Sequence, residues 1–153
     1  SYVGDGNNVL NSLMCAAAKV GLGMSVATPK GYEPDKEIMA LAAGSAKKLG
    51  AKLEFSHDPK AAAKDADVIY TDVWVSMGQE GQAKKRIRAF KPFQVNDAIV
   101  KLAKKGARIM HCLPAHRGFE ITDSVIDSKG SVVYDQAENR LHVEKAVLLR
   151  LLK

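Results

Sequence analysis

Residues 67–78 read DVIYTDVWVSMG, and the first five of them open the question of the fold. Asp67–Thr71 is a short run of β-favouring residues, the pattern of a compact buried strand. How it is partnered depends on its flanks. Upstream, Tyr2-Val3-Gly4 reads as the end of a strand. Val9, Leu10, Leu13, Met14, Ala17 and Val20 keep a helical spacing over Asn8–Leu22, until Gly21 and Gly23 stop it. Met24–Ala27 is a second strand candidate, followed by the turn-rich TPKGYEP. Asp35 suits the N-cap of a helix running to about Leu49 and closed by Gly50. Lys52–Phe55 is a third strand, and Asp58 begins a short helix over Pro59–Lys64. Downstream, the pattern predicts helices at Gln82–Phe90 and Asn96–Lys105, the second ending at Gly106. Arg108–His111 is the next strand, and Ala137–Lys153 an amphipathic helix with Leu141, Val143, Ala146, Val147, Leu149 and Leu151 among its apolar positions.

Strands that alternate with helices imply parallel βαβ units. The expected fold is a single α/β domain over residues 1–153, a doubly wound parallel sheet flanked by helices in a Rossmann-like three-layer sandwich. The length of 153 residues suits one domain with a sizeable core, and 46% hydrophobic with 26% charged residues is ordinary for a globular chain. No run approaches the ~18–20 apolar residues of a membrane span, so no membrane partner is expected. SYVGDGNN has neither a basic nor an apolar leader region, and Cys15 and Cys112 are the only cysteines. A reducing, cytoplasmic setting follows as the default. The net charge of +6 raises the question of nucleic acid. Its clusters, Lys47–Lys48, Lys84–Lys85–Arg86–Arg88 and Lys104–Lys105, fall mostly on predicted helix faces, where solvation explains them. With four Phe, one Trp and no nucleic-acid motif, no nucleic-acid partner is expected. A small anionic substrate fits the charge equally well.

In open α/β sheets ligands bind beyond the carboxyl ends of the strands, near the switch in strand order. Three polar loops lie at such ends. Gly4-Asp5-Gly6-Asn7-Asn8 resembles the start of a dinucleotide fingerprint, but Val9 stands where the third glycine belongs. The second strand ends Ala27-Thr28-Pro29, without the acidic residue that holds a ribose. What remains is an anion site at a helix N-terminus around Asn8, or a tight turn capped by Asn8. In Asp72–Gly78 (DVWVSMG) a carboxylate follows the buried strand, suited to an ammonium group with Ser76 beside it, or else to capping the loop. His111–Gly118 (HCLPAHRG) could hold a metal, pair Cys112 with a histidine base, or bury Cys112 as a small hydrophobe. The metal reading is the weaker one, because adjacent strand residues such as His111 and Cys112 point to opposite faces.

Together GDGNN, DVWVSMG, HCLPAHRG and Ala137–Arg140 (AENR) resemble, in order and spacing, the second half of an ornithine carbamoyltransferase. The resemblance runs from the first residues to the last. Ser76-Met77-Gly78 resembles the ornithine-binding loop that separates this group from transcarbamylases acting on aspartate, N-acylated ornithines or putrescine. HCLPAHRG resembles bacterial and anabolic-type members, with Phe119 where an acidic residue is expected. That difference follows the motif proper and reads as tuning.

The resemblance implies a two-domain enzyme whose first domain holds carbamoyl phosphate through a Ser-Thr-x-Arg-Thr motif. No such motif occurs here, so residues 1–153 are expected to be the ornithine-binding domain without the N-terminal carbamoyl-phosphate domain, inactive alone. It further implies that Asn8 holds the α-carboxylate of L-ornithine. Asp72 would take its α-ammonium, helped by Ser76 and the backbone around Met77. Cys112 and the Leu113 carbonyl would face the δ-amine and the carbamoyl carbon, across a cis Leu113–Pro114 bond. Arg140 would reach carbamoyl phosphate, completing a catalytic set of Asp72, Cys112 and Arg140, while His116 and Arg117 would shape the loop. No metal or cofactor is expected. The whole enzyme would be a homotrimer or a multiple of one, serving arginine biosynthesis. The competing expectation is a non-catalytic amino-acid-binding module that keeps the site.

Overall fold

In the computed structural model, which describes residues 1–152, strands and helices alternate along the chain as the sequence patterning predicts. The strands are β1 (Tyr2–Val3), β2 (Met24–Ala27), β3 (Leu53–Ser56), β4 (Val68–Thr71) and β5 (Arg108–His111). The helices are α1 (Asn8–Lys19), α2 (Lys36–Leu49), α3 (Pro59–Ala63), α4 (Ala83–Phe90), α5 (Asp97–Val100), α6 (Asp123–Ile126) and α7 (Val133–Leu151). All five strands are parallel, in the order β3-β2-β1-β4-β5. The chain winds outward from β1 to β3, then crosses back to build β4 and β5 on the other side. The order therefore reverses between β1 and β4, and the crevice that reversal opens is where the site lies.

Strand alternation divides the core in two. Tyr2 and Val26 pack with Leu10, Met14, Ala17, Ala42 and Ala46 under α1 and α2. Val3, Ala27, Ile69 and Ile109 pack with Ala63, Phe93, Ile99, Val125 and Val133 on the opposite face. Burying each large aliphatic or aromatic side chain contributes roughly 1.5–3 kcal/mol, so both layers anchor the sheet. Local signals fix the ends. The Asp35 carboxylate accepts the N–H groups of Glu37 and Ile38 at 2.9 and 3.0 Å, and Gly50 ends α2 in the left-handed region. Asp58 caps α3, with Pro59 at its first position.

Strand β3 sits one residue later than predicted, while β4 begins and α3 ends one residue inside their predicted bounds. The predicted helix end at Lys153 lies outside the described residues. Four other helix boundaries move further. Helix α1 stops at Lys19, before Leu22, as Gly21 turns the chain with φ +74°. The predicted Gln82–Phe90 helix begins as a 3-10 turn at Glu80–Gln82 and becomes α-helical at Ala83. The predicted Asn96–Lys105 helix survives only as α5. Beyond Val100 the backbone bonds across to the edge of the sheet, with Asp65 N–H donating to the Leu102 carbonyl and Lys104 N–H to the Ala66 carbonyl. Those bonds replace helical ones and return the chain to β5. Helix α7 starts four residues before Ala137, because Val133 is fully buried and Gln136 bonds inward. Much of its apolar pattern, including Leu141, Val143, Val147, Leu148 and Leu149, is exposed. Among the described residues, no helix is long and apolar enough to cross a membrane.

Candidate active site

The three loops singled out in the sequence follow β1, β4 and β5, and they meet over the crevice. The Thr71 hydroxyl, at the end of β4, donates to the Val3 carbonyl at 2.7 Å and locks two of them together. Gly6 is needed for close approach: a Cβ there would lie 2.3 Å from the Glu33 carbonyl carbon. The glycines of GDGNN thus seat the loop against the Tyr32–Pro34 turn, and no nucleotide is required to explain them.

Asn7, not Asn8, caps α1. Its side-chain oxygen accepts the N–H groups of Val9 and Leu10 at 3.1 and 3.2 Å, while its amide nitrogen donates to Asp72 Oδ2 at 2.6 Å. Asn8, one residue on, is exposed and free to face a ligand at the helix N-terminus. Asn7→Ala is expected to lower the stability of the chain by about 1–2 kcal/mol, read from its denaturation midpoint, through the lost cap. It should also leave Asp72 with one positioning donor fewer.

Asp72 is the hub. It is 4% exposed and accepts from Asn7, from the Val73 N–H at 2.8 Å and from the Cys112 thiol at 2.9 Å. A carboxylate has about four lone-pair sites, so three donors leave room for one more. Asp72 thus holds its neighbours in place and keeps one acceptor site open toward the cleft. Burial pushes the Cys112 thiol up to about 12, and its bond to Asp72 pushes the same way. At neutral pH Cys112 is therefore a thiol that donates, and the Cys–His nucleophile pair finds no support.

His111 explains the shape of the loop. Its buried ring accepts the Leu113 N–H through Nδ1 at 2.8 Å, so the ring proton sits on Nε2, 3.2 Å from Glu120 Oε1. The same Glu120 oxygen accepts the His116 N–H at 2.5 Å. These bonds hold Leu113 at φ +56°, a conformation that side chains rarely adopt and that cost of order 1–3 kcal/mol reserves for sites with a purpose. The Leu113–Pro114 bond is cis, as expected. Asp72, His111 and Cys112 each bring one ligand-type atom, all within 4.8 Å of one another. That is closer than strand alternation predicts, since Cys112 has already left β5. Each of these atoms is engaged by the hydrogen bonds above, which makes the cluster a scaffold.

Two clefts share the ledge Cys112-Leu113-Pro114. One, of about 660 Å³, is lined by Asn8, Asp72, Ser76, Met77 and His116. The other, of about 610 Å³, carries Arg140, Leu141 and Glu144 from α7. The structure thus gathers Asn8, Asp72, Ser76, Met77, Cys112 and Leu113, and places Arg140 on the far side of the ledge. Arg140 is exposed, 3.7 Å from Glu144. Met77 is 97% exposed, so its backbone is its more useful part. Phe119 meets Trp74 edge-on at 6.3 Å and forms part of the first cleft's wall. Arg117 turns outward to Asp123 and Asp127, fixing α6 to the loop.

Sequence reasoning passed over Asn7, Glu120, Asp5 and Arg86. The Lys84–Arg88 cluster was expected to be solvated, yet Arg86 is 5% exposed and paired with the equally buried Asp5. A signal existed: Arg86 and Phe90 are spaced i, i+4 and share the buried face of α4.

A family model described as the aspartate/ornithine carbamoyltransferase Asp/Orn binding domain matches residues 1–151. The ornithine carbamoyltransferase of Pyrococcus horikoshii is 61% identical over 151 residues, 99% of this chain and 48% of that protein. That of Pyrococcus abyssi is 60% identical, with the same coverage of both. The ornithine carbamoyltransferase structure from Pyrococcus furiosus superposes with a TM-score of 0.92 at 61% identity, covering 96% of this chain and 47% of that one. The chain spans about half the length of the curated relatives it matches.

Proposed function

The chain belongs to the aspartate/ornithine carbamoyltransferase family, and from that premise we propose that it is the L-ornithine-binding half of an ornithine carbamoyltransferase. The complete enzyme would convert carbamoyl phosphate and L-ornithine to L-citrulline and phosphate. The observation that carries the reading is the ledge Cys112-Leu113-Pro114 between two clefts, one holding the Asp72 carboxylate and the other the Arg140 guanidinium. A substrate with two amines, one anchored in the first cleft and the other attacking a carbamoyl group held on the far side of the ledge, fits that division.

Ornithine enters the first cleft with its α-ammonium on the open lone-pair site of Asp72, beside Ser76. Its α-carboxylate lies at Asn8 and the N-terminus of α1, where the helix dipole and exposed amides favour an anion. Its side chain then runs toward the ledge. An alkylamine ionises near ~10.4, so the reactive neutral form is scarce at pH 7 until desolvation lowers that value. The Leu113 carbonyl accepts from the δ-amine and orients its lone pair. The Cys112 sulfur, its proton directed at Asp72, offers a weak acceptor on the same side. As the new N–C bond forms, the C–O bond to phosphate breaks and the departing phosphate takes a proton from the attacking nitrogen. Arg140 stabilises the oxyanion that develops on the carbamoyl group. The chemistry requires no metal or organic cofactor. Most carbamoyl-phosphate contacts belong to the N-terminal domain outside residues 1–153. Both cysteines are free thiols, in keeping with a cytoplasmic enzyme of arginine biosynthesis, assembled as a homotrimer or a multiple of one.

The test is carbamoyl transfer by the full-length protein with ornithine, aspartate, N-acetylornithine and putrescine in parallel. Ornithine is expected to be preferred by at least about 100-fold in kcat/KM, since missing charge partners leave buried groups unpaired. A preference for any of the other three, or no transfer at all, would reject the reading.

A further inference from the structure

The ion pair between Arg86 Nη2 and Asp5 Oδ2 joins two residues that are each 5% exposed. Desolvating such a pair is unfavourable, and apolar residues would fill the same space at least as well. Its geometry indicates what it adds. Arg86 Nε donates to the Trp74 backbone carbonyl at 2.5 Å. The guanidinium lies over the rings of Tyr32 and Phe90, at 4.8 and 5.1 Å. One planar fork therefore ties the loop after β1, the segment after β4, the 28–34 turn and α4 into a single block. Asp5 stands three residues before Asn8, and Trp74 two residues after Asp72 and two before Ser76. The block spans both banks of the amino-acid cleft.

We propose that Asp5 and Arg86 are positioning residues for the amino-acid substrate, holding the Trp74 carbonyl so that Asp72 and Ser76 face Asn8 at a fixed spacing. The inference rests on the ornithine reading of that cleft. Asp5 is faced by Arg86 from α4, by Asp72 beyond β4 and by Tyr2 from β1. Burial pushes Asp5 up to about 6, against the pull of Arg86, and Asp72 adds to the push. Protonation below that point removes the charge that holds Arg86, so the block loosens on the acid side.

Arg86→Lys, Arg86→Met and Asp5→Asn test the proposal in the full-length protein and in the 153-residue chain, whose single tryptophan is Trp74. Lysine keeps the charge but cannot reach both partners as a planar fork does. In full-length Arg86→Lys and Arg86→Met, the KM for ornithine is expected to rise about 10-fold or more, the scale on which losing a charged hydrogen bond weakens binding. The kcat should stay within about threefold and the KM for carbamoyl phosphate should not move, the pattern of lost uniform binding. In the short chain, acrylamide should quench Trp74 more readily in all three variants with the circular dichroism unchanged. In the wild type the quenching should increase as pH falls through about 6, a step absent from Asp5→Asn. Unchanged Trp74 quenching in folded Arg86→Lys and Asp5→Asn would overturn the proposal, as would equal losses in kcat and in both KM values. If the wild-type enzyme carbamoylates no ornithine, the function reading falls alone, and the Trp74 measurements still decide whether the pair positions the loop.

Discussion

The 153-residue chain on its own is expected to form no measurable citrulline from carbamoyl phosphate and ornithine, and to gain turnover when joined to the N-terminal half of its own enzyme. The cleft on the Arg140 side motivates this. Among the described residues it carries a single guanidinium, exposed and 3.7 Å from Glu144, with no second cation lining it. A phosphate there would be met by one solvated charge in open water, where electrostatic stabilisation is weak. Leu141, Val143 and Val147, on the helix that carries Arg140, are also left to solvent. An apolar face of that kind marks a contact surface, and under the proposed function the carbamoyl-phosphate half is the partner expected to cover it. Two substrates held in near-attack geometry gain effective molarities of roughly 10⁵–10⁸ M, and a chain that holds only one of them forfeits that factor. A citrulline assay on the short chain, the full-length protein and a mixture of separately made halves would measure the difference. Robust turnover by the short chain alone would sink the assignment of carbamoyl-phosphate binding to the other half.

The sheet was legible because its signals are local. Met24–Ala27 and Arg108–His111 coincide with β2 and β5, and Asp35, Gly50 and Asp58 mark helix ends through capping chemistry that needs no tertiary context. The misread region, residues 101–105, has a helical composition. What overrides it is the carbonyl of Ala66 and the amide of Asp65, partners more than 35 residues away. The start of α7 was missed for a related reason, since Val133 is drawn into a core whose other members include residues of β1, β2, β4, β5, α3, α5 and α6.

The site divides along the same line. The residues meant to touch substrate come from motifs contiguous in sequence, and Asn8, Asp72, Ser76, Met77, Cys112 and Leu113 do line one cleft. The residues that hold them in place pair across the fold. Asn7 reaches Asp72 over 65 positions and Arg86 reaches Asp5 over 81. In the lysine-rich helix the i, i+4 spacing of Arg86 and Phe90 marks the buried face, but not the partner that Arg86 meets there. Glu120, by contrast, follows HCLPAHRG closely, and a carboxylate after two histidines could have suggested its bonds to His111 and His116.

Asp72→Asn in the full-length enzyme is expected to reduce kcat/KM for ornithine by about 10²–10⁴-fold, because removing one member of a buried charge pair costs roughly 3–5 kcal/mol. Asparagine keeps the shape of the side chain and one acceptor, so loss of shape contributes little. Its amide would instead turn an N–H toward either the Asn7 amide or the Cys112 thiol, both of which now donate to the carboxylate. Cys112→Ala removes a half-buried thiol, which should lower stability by about 1 kcal/mol yet impair turnover far more than that. Since the thiol acts partly through its bond to Asp72, the double variant should be less impaired than the product of the two single losses. Steady-state kinetics of the two single variants and the double, alongside their melting temperatures, would decide. Strict multiplicativity would separate Cys112 from Asp72. A Cys112→Ala enzyme that is fully active, or that fails only by unfolding, would remove the thiol from the reacting ledge and leave the Leu113 carbonyl as its one chemical contact with the amine.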